Sequence, residues 1–295
     1  MKSPVPPRAC RSSFTRRRFV ALLGGLPAAA TAFADEASVA GRKLDFRIGD
    51  GFGDADVADL RAVLKSAADS LWRHCPNTQW QVPGFFVYHT NGSPITKFDH
   101  HADGRIAIGL TPQGRLWNQH AFQFAHEFCH ALAGHANDWR ATWLKGRKAN
   151  HWLEESLCET ASLFALRSMG QGWQEKAPYP NWKSYAPALT KYAQVRLEET
   201  AGRLPKDFRF EKWFAGQEAA LRQNAVLRDE NRIVARELLP LFEASPAGWE
   251  AITFMNLTPN RAPEKQLIEH FADWKAAAPA SQRAFISRIA EVFGR

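Results

Sequence analysis

His126, Glu127 and His130 stand together as H-E-F-C-H in a chain of 295 residues. On a helix, positions four apart share a face, so the imidazoles of His126 and His130 point the same way and can reach one metal ion. Glu127 lies next along the helix, close enough to hold a water on that metal without being a ligand. The surrounding run FQFAHEFCHALA is apolar nearly all round, which predicts a buried central helix. Buried unpaired polar groups are costly, and a metal gives these three a reason to be there. A hydrolytic zinc centre needs a third protein ligand and one open position. No histidine supplies it at the next helical steps, because positions 133 and 136 are both Ala. The acidic segment W-L-E-E-S-L-C-E, Trp152–Glu159, offers two candidates. Glu155 follows His130 by 25 residues, and its neighbour Glu154 would face about 100° away on a helix.

The two segments together resemble the gluzincins, the thermolysin-like and aminopeptidase-like zinc peptidases. In that family HExxH lies on one helix, and a W-L-x-E-G-x-A-like stretch on a second supplies a glutamate ligand. Trp152-Leu153-Glu154-Glu155-Ser156-Leu157-Cys158 looks like that stretch, with Ser156 in place of the usual glycine. The resemblance covers the two helices and the strand before them, and the basic connection between the helices is longer than in the commonest members. It implies one Zn2+ per chain, held by His126, His130 and Glu155, with Glu159 bracing His126 from the second helix. Glu154 remains the rival ligand.

The resemblance also implies a reaction. Zinc lowers the pKa of a bound water and polarises a carbonyl. Glu127 would take the water's proton and pass it to the departing amine. The family commonly completes the oxyanion site with a downstream tyrosine or histidine. Tyr185 is the first candidate, where an aromatic loop meets the next helix, with Tyr179, His151 and Tyr192 as alternatives. A strand at Arg105–Leu110 would be the edge that pairs with an extended peptide or protein substrate. Two other readings fit the same residues: a non-catalytic zinc-containing protein that binds peptides or cell-wall fragments, and a zinc amidase acting on a non-peptide amide. Glu127 favours an enzyme, since a structural site has no need of a base.

Residues 1–34 read as an export signal. Arg16, Arg17 and Arg18 precede an apolar stretch, and Ala32-Phe33-Ala34 gives a small-x-small cleavage site before Asp35. T-R-R-R-F-V resembles the bacterial twin-arginine signal, which implies the twin-arginine export machinery as a partner and a periplasmic or secreted product. The chain has 38 basic and 30 acidic residues, and six of the basic ones lie in this segment. The remaining 32 and 30 nearly cancel, so the high pI is no argument for a nucleic-acid partner. No second long apolar segment follows, so no stable membrane insertion is expected after cleavage. Three cysteines remain, Cys75, Cys129 and Cys158, an odd number that excludes a disulfide scaffold. Cys129 and Cys158 each sit beside a proposed ligand, either bridged or as small buried apolar groups.

These residues must be held by an α+β fold: a zincin-like lobe, 35–182, with a small mixed sheet and the HExxH helix, then a mainly helical lobe, 183–295. Apolar periodicity predicts strands at 44–48, 85–89 and 105–110, with a turn at 91–94. Helices are expected at 54–73, at 118–133 with Asn118 as cap, and from an Asn150 cap to Gly170. An aromatic loop is expected at 171–187. Further helices follow at 189–201, 210–224, 228–243, 263–276 and 281–292.

Overall fold

A computed structural model describes residues 43–78, 82–97, 99–134, 150–257 and 265–295. The export segment 1–34 and the basic connection 135–149 lie outside the described residues. The fold is mixed α and β, mostly helical, with one small sheet, and residues 37–295 form one compact unit. No helix among the described residues is long and apolar enough to cross a membrane.

The strands are β1 (Phe46–Ile48), β2 (Phe85–His89), β3 (Ile95–Thr96) and β4 (Ile106–Leu110). Their order in the sheet is β1-β2-β4-β3. β1, β2 and β4 run parallel, and β3 returns antiparallel along the edge, with Thr96 opposite Ile108. One expectation changes here. Ile106–Leu110 is an interior strand, buried at every residue, because the short strand after the Asn91–Pro94 turn lies outside it. That edge strand, Ile95–Thr96, is too short to show a period in the sequence.

The helices are α1 (Val57–Trp72), α2 (Trp117–Gly134), α3 (His151–Lys176), α4 (Ala186–Glu198), α5 (Phe210–Gln223), α6 (Arg228–Ala244), α7 (Trp249–Ile252), α8 (Leu267–Ala277) and α9 (Ala280–Val292). Asp56 caps α1, its carboxylate accepting from the amides of Ala58 and Asp59. The buried stripe Leu60, Val63, Leu64, Ala67, Ala68 and Leu71 then turns inward. α2 packs on the sheet through Phe124 and Phe128, whose rings meet Phe85 at 6.0 and 5.5 Å. Its opposite side carries the two histidines.

α3 is the central element, packed against α2, α4 and α6. It runs 26 residues, about 39 Å at the standard rise. The expected stop at Gly170 does not occur. A Cβ there would collide with Thr190 Oγ1 of α4 and crowd Ala186 O at 3.3 Å, so Gly170 permits close helix packing rather than chain reversal. The predicted loop therefore shrinks to a short 3₁₀ turn, Pro180–Tyr185. Of the two predicted caps, Asn150 takes its position and Asn118 does not. Asn118 lies one residue inside α2. Asn150 sits at the N-cap of α3, but its amide donates to Lys265 O and its oxygen accepts from Arg222. The expected start of α8 at 263 lies outside the described residues.

The C-terminal helices close the structure around Trp249 and Trp274, both fully buried. The buried carboxylate of Glu250 ties this region to the end of α1, accepting from the Asn77 amides and from Gln282 Nε2.

Candidate metal centre

α2 and α3 lie side by side, and the four-residue period on each aims one ligating face at the other. His126 and His130 have ring centroids 5.1 Å apart. The Glu155 carboxylate meets both rings: Oε2 is 3.4 Å from His126 Nε2, and Oε1 is 3.6 Å from His130 Nε2. Both separations exceed an ordinary N–H···O bond of about 2.7–3.2 Å. They match two ligands of one tetrahedral metal: ligand atoms about 2.0–2.1 Å from such an ion lie about 3.4 Å from each other. Each of these two separations suits a shared ion, although His126, His130 and Glu155 together do not close to within 4.8 Å of one another as a set.

The outer ring nitrogens face carboxylates as well. His130 Nδ1 is 2.9 Å from Glu154 Oε1, and the other Glu154 oxygen accepts from Asn256 Nδ2 at 2.8 Å. Donation from Nδ1 to Glu154 selects the tautomer whose Nε2 lone pair faces Glu155 and would face an ion held there. His126 Nδ1 lies 4.0 Å from Glu159 Oε2. The second Glu159 oxygen faces Arg196 at 3.8 Å and Arg232 at 3.7 Å. Glu154 corrects an expectation. It does not project away from the site, because α2 covers that flank of α3 too; Glu154 and Glu155 straddle the His130 ring and take one nitrogen each.

Charge in the site suits a cation. Burial alone would raise the Glu155 carboxyl, but the His130 charge and the contacts from both histidines outweigh it and hold the group well below the usual range. Burial would likewise strip the proton from His130, and the charge of Glu155 with the Glu154 hydrogen bond keeps it well above its usual value. A metal ion would replace those protons as the positive partner.

A cavity of about 790 Å³ opens beside these groups. Its walls are the 92–96 segment ending in β3, the His126–Glu127–His130 face of α2, the His151–Glu155–Glu159 face of α3, Tyr192 and Arg196 of α4, and the start of α6 at Arg228, Asn231 and Arg232. Glu127 is 4% exposed and lines this wall. His151 Nε2 is 3.4 Å from Glu155 Oε1, on the cavity side of the centre.

Among the described residues, the combinations that do close to within 4.8 Å are different ones. Ligating atoms of His126, His130 and Cys158 lie within 4.8 Å of one another, as do those of His130, His151 and Glu154. Cys158 and Glu154 do not line the cavity, whereas His126, His130 and His151 do. Cys129 and Cys158 are unbridged and fully buried, and burial, with the neighbouring Cys129 thiol, pushes the Cys158 thiol up.

The tyrosine expectation changes. Tyr185 Oη accepts from the Asn118 amide at 3.4 Å, at the opening turn of α2, two helical turns before His126. Tyr179 rests edge-on against Trp182. Neither lines the cavity; both belong to an aromatic cluster with Trp117, Trp173 and Trp182. Tyr192 is the tyrosine that lines the cavity among the described residues. The reason is the longer α3, which carries the aromatic turn past the site and leaves α4 to face it. Thr96, Asn256, Arg196 and Arg232 also bear on the site and carry no signature in the sequence. Comparison of the chain with protein-family models, with curated proteins and with solved structures gives no match.

Proposed function

We propose that this protein is an exported zinc-dependent peptidase of gluzincin type, with a zincin-like arrangement of sheet and helices, in which His126, His130 and Glu155 hold the metal. The observation that carries the reading is the pair of contacts from one carboxylate to two Nε2 atoms, at 3.4 and 3.6 Å, on the wall of an open cavity. Bound zinc supplies a Lewis acid that polarises a carbonyl and acidifies water.

The chain's own groups supply the rest. Glu127 accepts a proton from the attacking water at the cavity wall and returns it to the departing amine nitrogen. Tyr192 offers a phenol to the oxygen that becomes negative as the carbonyl is attacked. Burial raises its pKa, which keeps that phenol protonated and able to donate. β3 bears on a peptide substrate because its outer edge has no strand neighbour among the described residues. An extended peptide lying there would gain main-chain hydrogen bonds within reach of Glu127. Glu154 and Glu159 orient the two histidines. Export through the twin-arginine route, with cleavage before Asp35, follows from the reading of residues 1–34.

The test is a zinc-loaded mature protein presented with a quenched-fluorescent random peptide library. Cleavage by the parent, lost in Glu127→Gln with zinc retained, is the expected result. Zinc binding without cleavage in either protein would leave a binding module in place of an enzyme.

A further inference from the structure

Thr96 is the second residue of the edge strand, and strand alternation decides where its side chain goes. Ile95 is 43% exposed, whereas Thr96 is 7% exposed and turned toward α2. The register holds it there. Thr96 lies opposite Ile108, Ile95 opposite Gly109, and the Lys97 amide donates to Ala107 O immediately beyond. A slip of one residue would put an isoleucine at this spot and turn the hydroxyl to solvent.

The hydroxyl of Thr96 meets a single residue twice. Oγ1 is 2.8 Å from the main-chain oxygen of Glu127 and 2.8 Å from its Oε2. One proton shared between two acceptors is a three-centre bond. Because both acceptors belong to Glu127, the bond folds the carboxylate back along its own helix. It occupies Oε2, so Oε1 is the oxygen not engaged by Thr96. Both residues line that cavity, and both are nearly excluded from bulk water, so water competes poorly for the bond. The contact also links two jobs. The strand whose free edge would take the substrate is the strand that aims the base.

We infer that Thr96 is a positioning residue for Glu127, fixing which carboxylate oxygen faces the reacting water and coupling that orientation to occupancy of the β3 edge. The inference rests on the peptidase reading for its kinetic consequence and on the hydrogen-bond geometry alone for its structural one. Thr96 touches no proposed metal ligand, so its loss leaves zinc binding intact. A misplacement of roughly 1 Å at a reacting group costs about 10²-fold in rate.

The test uses zinc-loaded mature Thr96→Val, Thr96→Ala and Thr96→Ser proteins, with the random peptide library as substrate and crystal structures of each. Val and Ala should lower kcat about 10²-fold with KM and zinc affinity unchanged. Ser keeps the hydroxyl and should recover kcat to within a few-fold of the parent. The Glu127 carboxylate should leave its position in Val and Ala and keep it in Ser. If Val does not fold, the Ala–Ser comparison gives the same reading. Equal kcat across the three variants, or loss of zinc in step with kcat, overturns the assignment. If the parent cleaves no peptide, the peptidase reading fails by itself and the structures decide. A Glu127 carboxylate unmoved in Val and Ala then overturns the positioning role, and a displaced one sustains it.

Discussion

Glu154 Oε1 sits 2.9 Å from His130 Nδ1, with Asn256 bonded to the opposite oxygen of the same carboxylate. Glu154 is therefore joined to the candidate metal centre through the Nδ1 of a proposed ligand, His130. The corresponding contact from Glu159 to His126 is longer, 4.0 Å, and Glu159 is shared with two arginines.

The first prediction follows from that contrast. Glu155→Ala removes a ligand and should abolish tight zinc binding. Glu154→Ala frees the His130 ring and should weaken zinc about 10- to 100-fold, the usual cost of losing such a brace. Glu159→Ala should cost less than Glu154→Ala. Competition titration with a chromophoric chelator measures all three, and circular dichroism checks that each variant folds. An unaffected Glu154→Ala protein would contradict the arrangement.

The second concerns the oxyanion donor. Tyr192→Phe should lower kcat by about 10²–10³-fold, the range seen when one such donor is removed. Tyr185→Phe should leave turnover unchanged, since Tyr185 packs beside Asn118 away from the cavity. Steady-state kinetics on a peptide identified from the library decides between them.

A third prediction addresses the packing that lengthens α3. Gly170→Ala gains about 1 kcal/mol of helix propensity but forces a methyl against Thr190 and the Ala186 carbonyl. Overpacking costs about 1–3 kcal/mol, so a net loss of up to about 2 kcal/mol is expected from urea unfolding. In a Thr190→Ala background the loss should shrink, because the nearest colliding atom is gone.

The fourth is a pH dependence. His120 is buried between Phe52 and Trp117, with Nε2 donating to Gly114 O and Nδ1 without a partner among the described residues. Burial lowers its pKa to about 4; the Gly114 bond opposes this and His89 adds to it. The unfolded chain, with a histidine near 6.5, binds the proton first as pH falls. Stability is therefore full above pH ~6.5 and is lost as pH drops toward 4, on the order of 3 kcal/mol from this residue. His120→Gln should flatten the ΔG of unfolding across that window relative to the parent. An unchanged pH profile would contradict it.

The parts of this molecule that were legible before its structure are those with local signals. HExxH and the glutamate helix showed themselves through a period of four, and α1 through its apolar stripe. What was not legible depends on contacts between elements. Gly170 reads as a helix stop in isolation and becomes a packing surface only when α4 lies against it. Ile95 and Thr96 are too few to show strand alternation, yet they form the sheet edge. Tyr185 and Tyr192 are chemically equal in a sequence, and only the length of α3 decides which faces the cavity. Arg196 and Arg232 reach Glu159 from helices far along the chain. Glu154 and Glu155 read as rival ligands about 100° apart on one helix, and the two nitrogens of His130 meet one each.

The most direct test of the central claim is a crystal structure of the zinc-loaded mature protein with anomalous data at the zinc edge. The account predicts one strong peak per chain, about 2.1 Å from His126 Nε2, His130 Nε2 and a Glu155 oxygen, with its remaining side open to the cavity. A peak held by Cys158 or Glu154 in place of Glu155, or no peak at stoichiometric zinc, would contradict it.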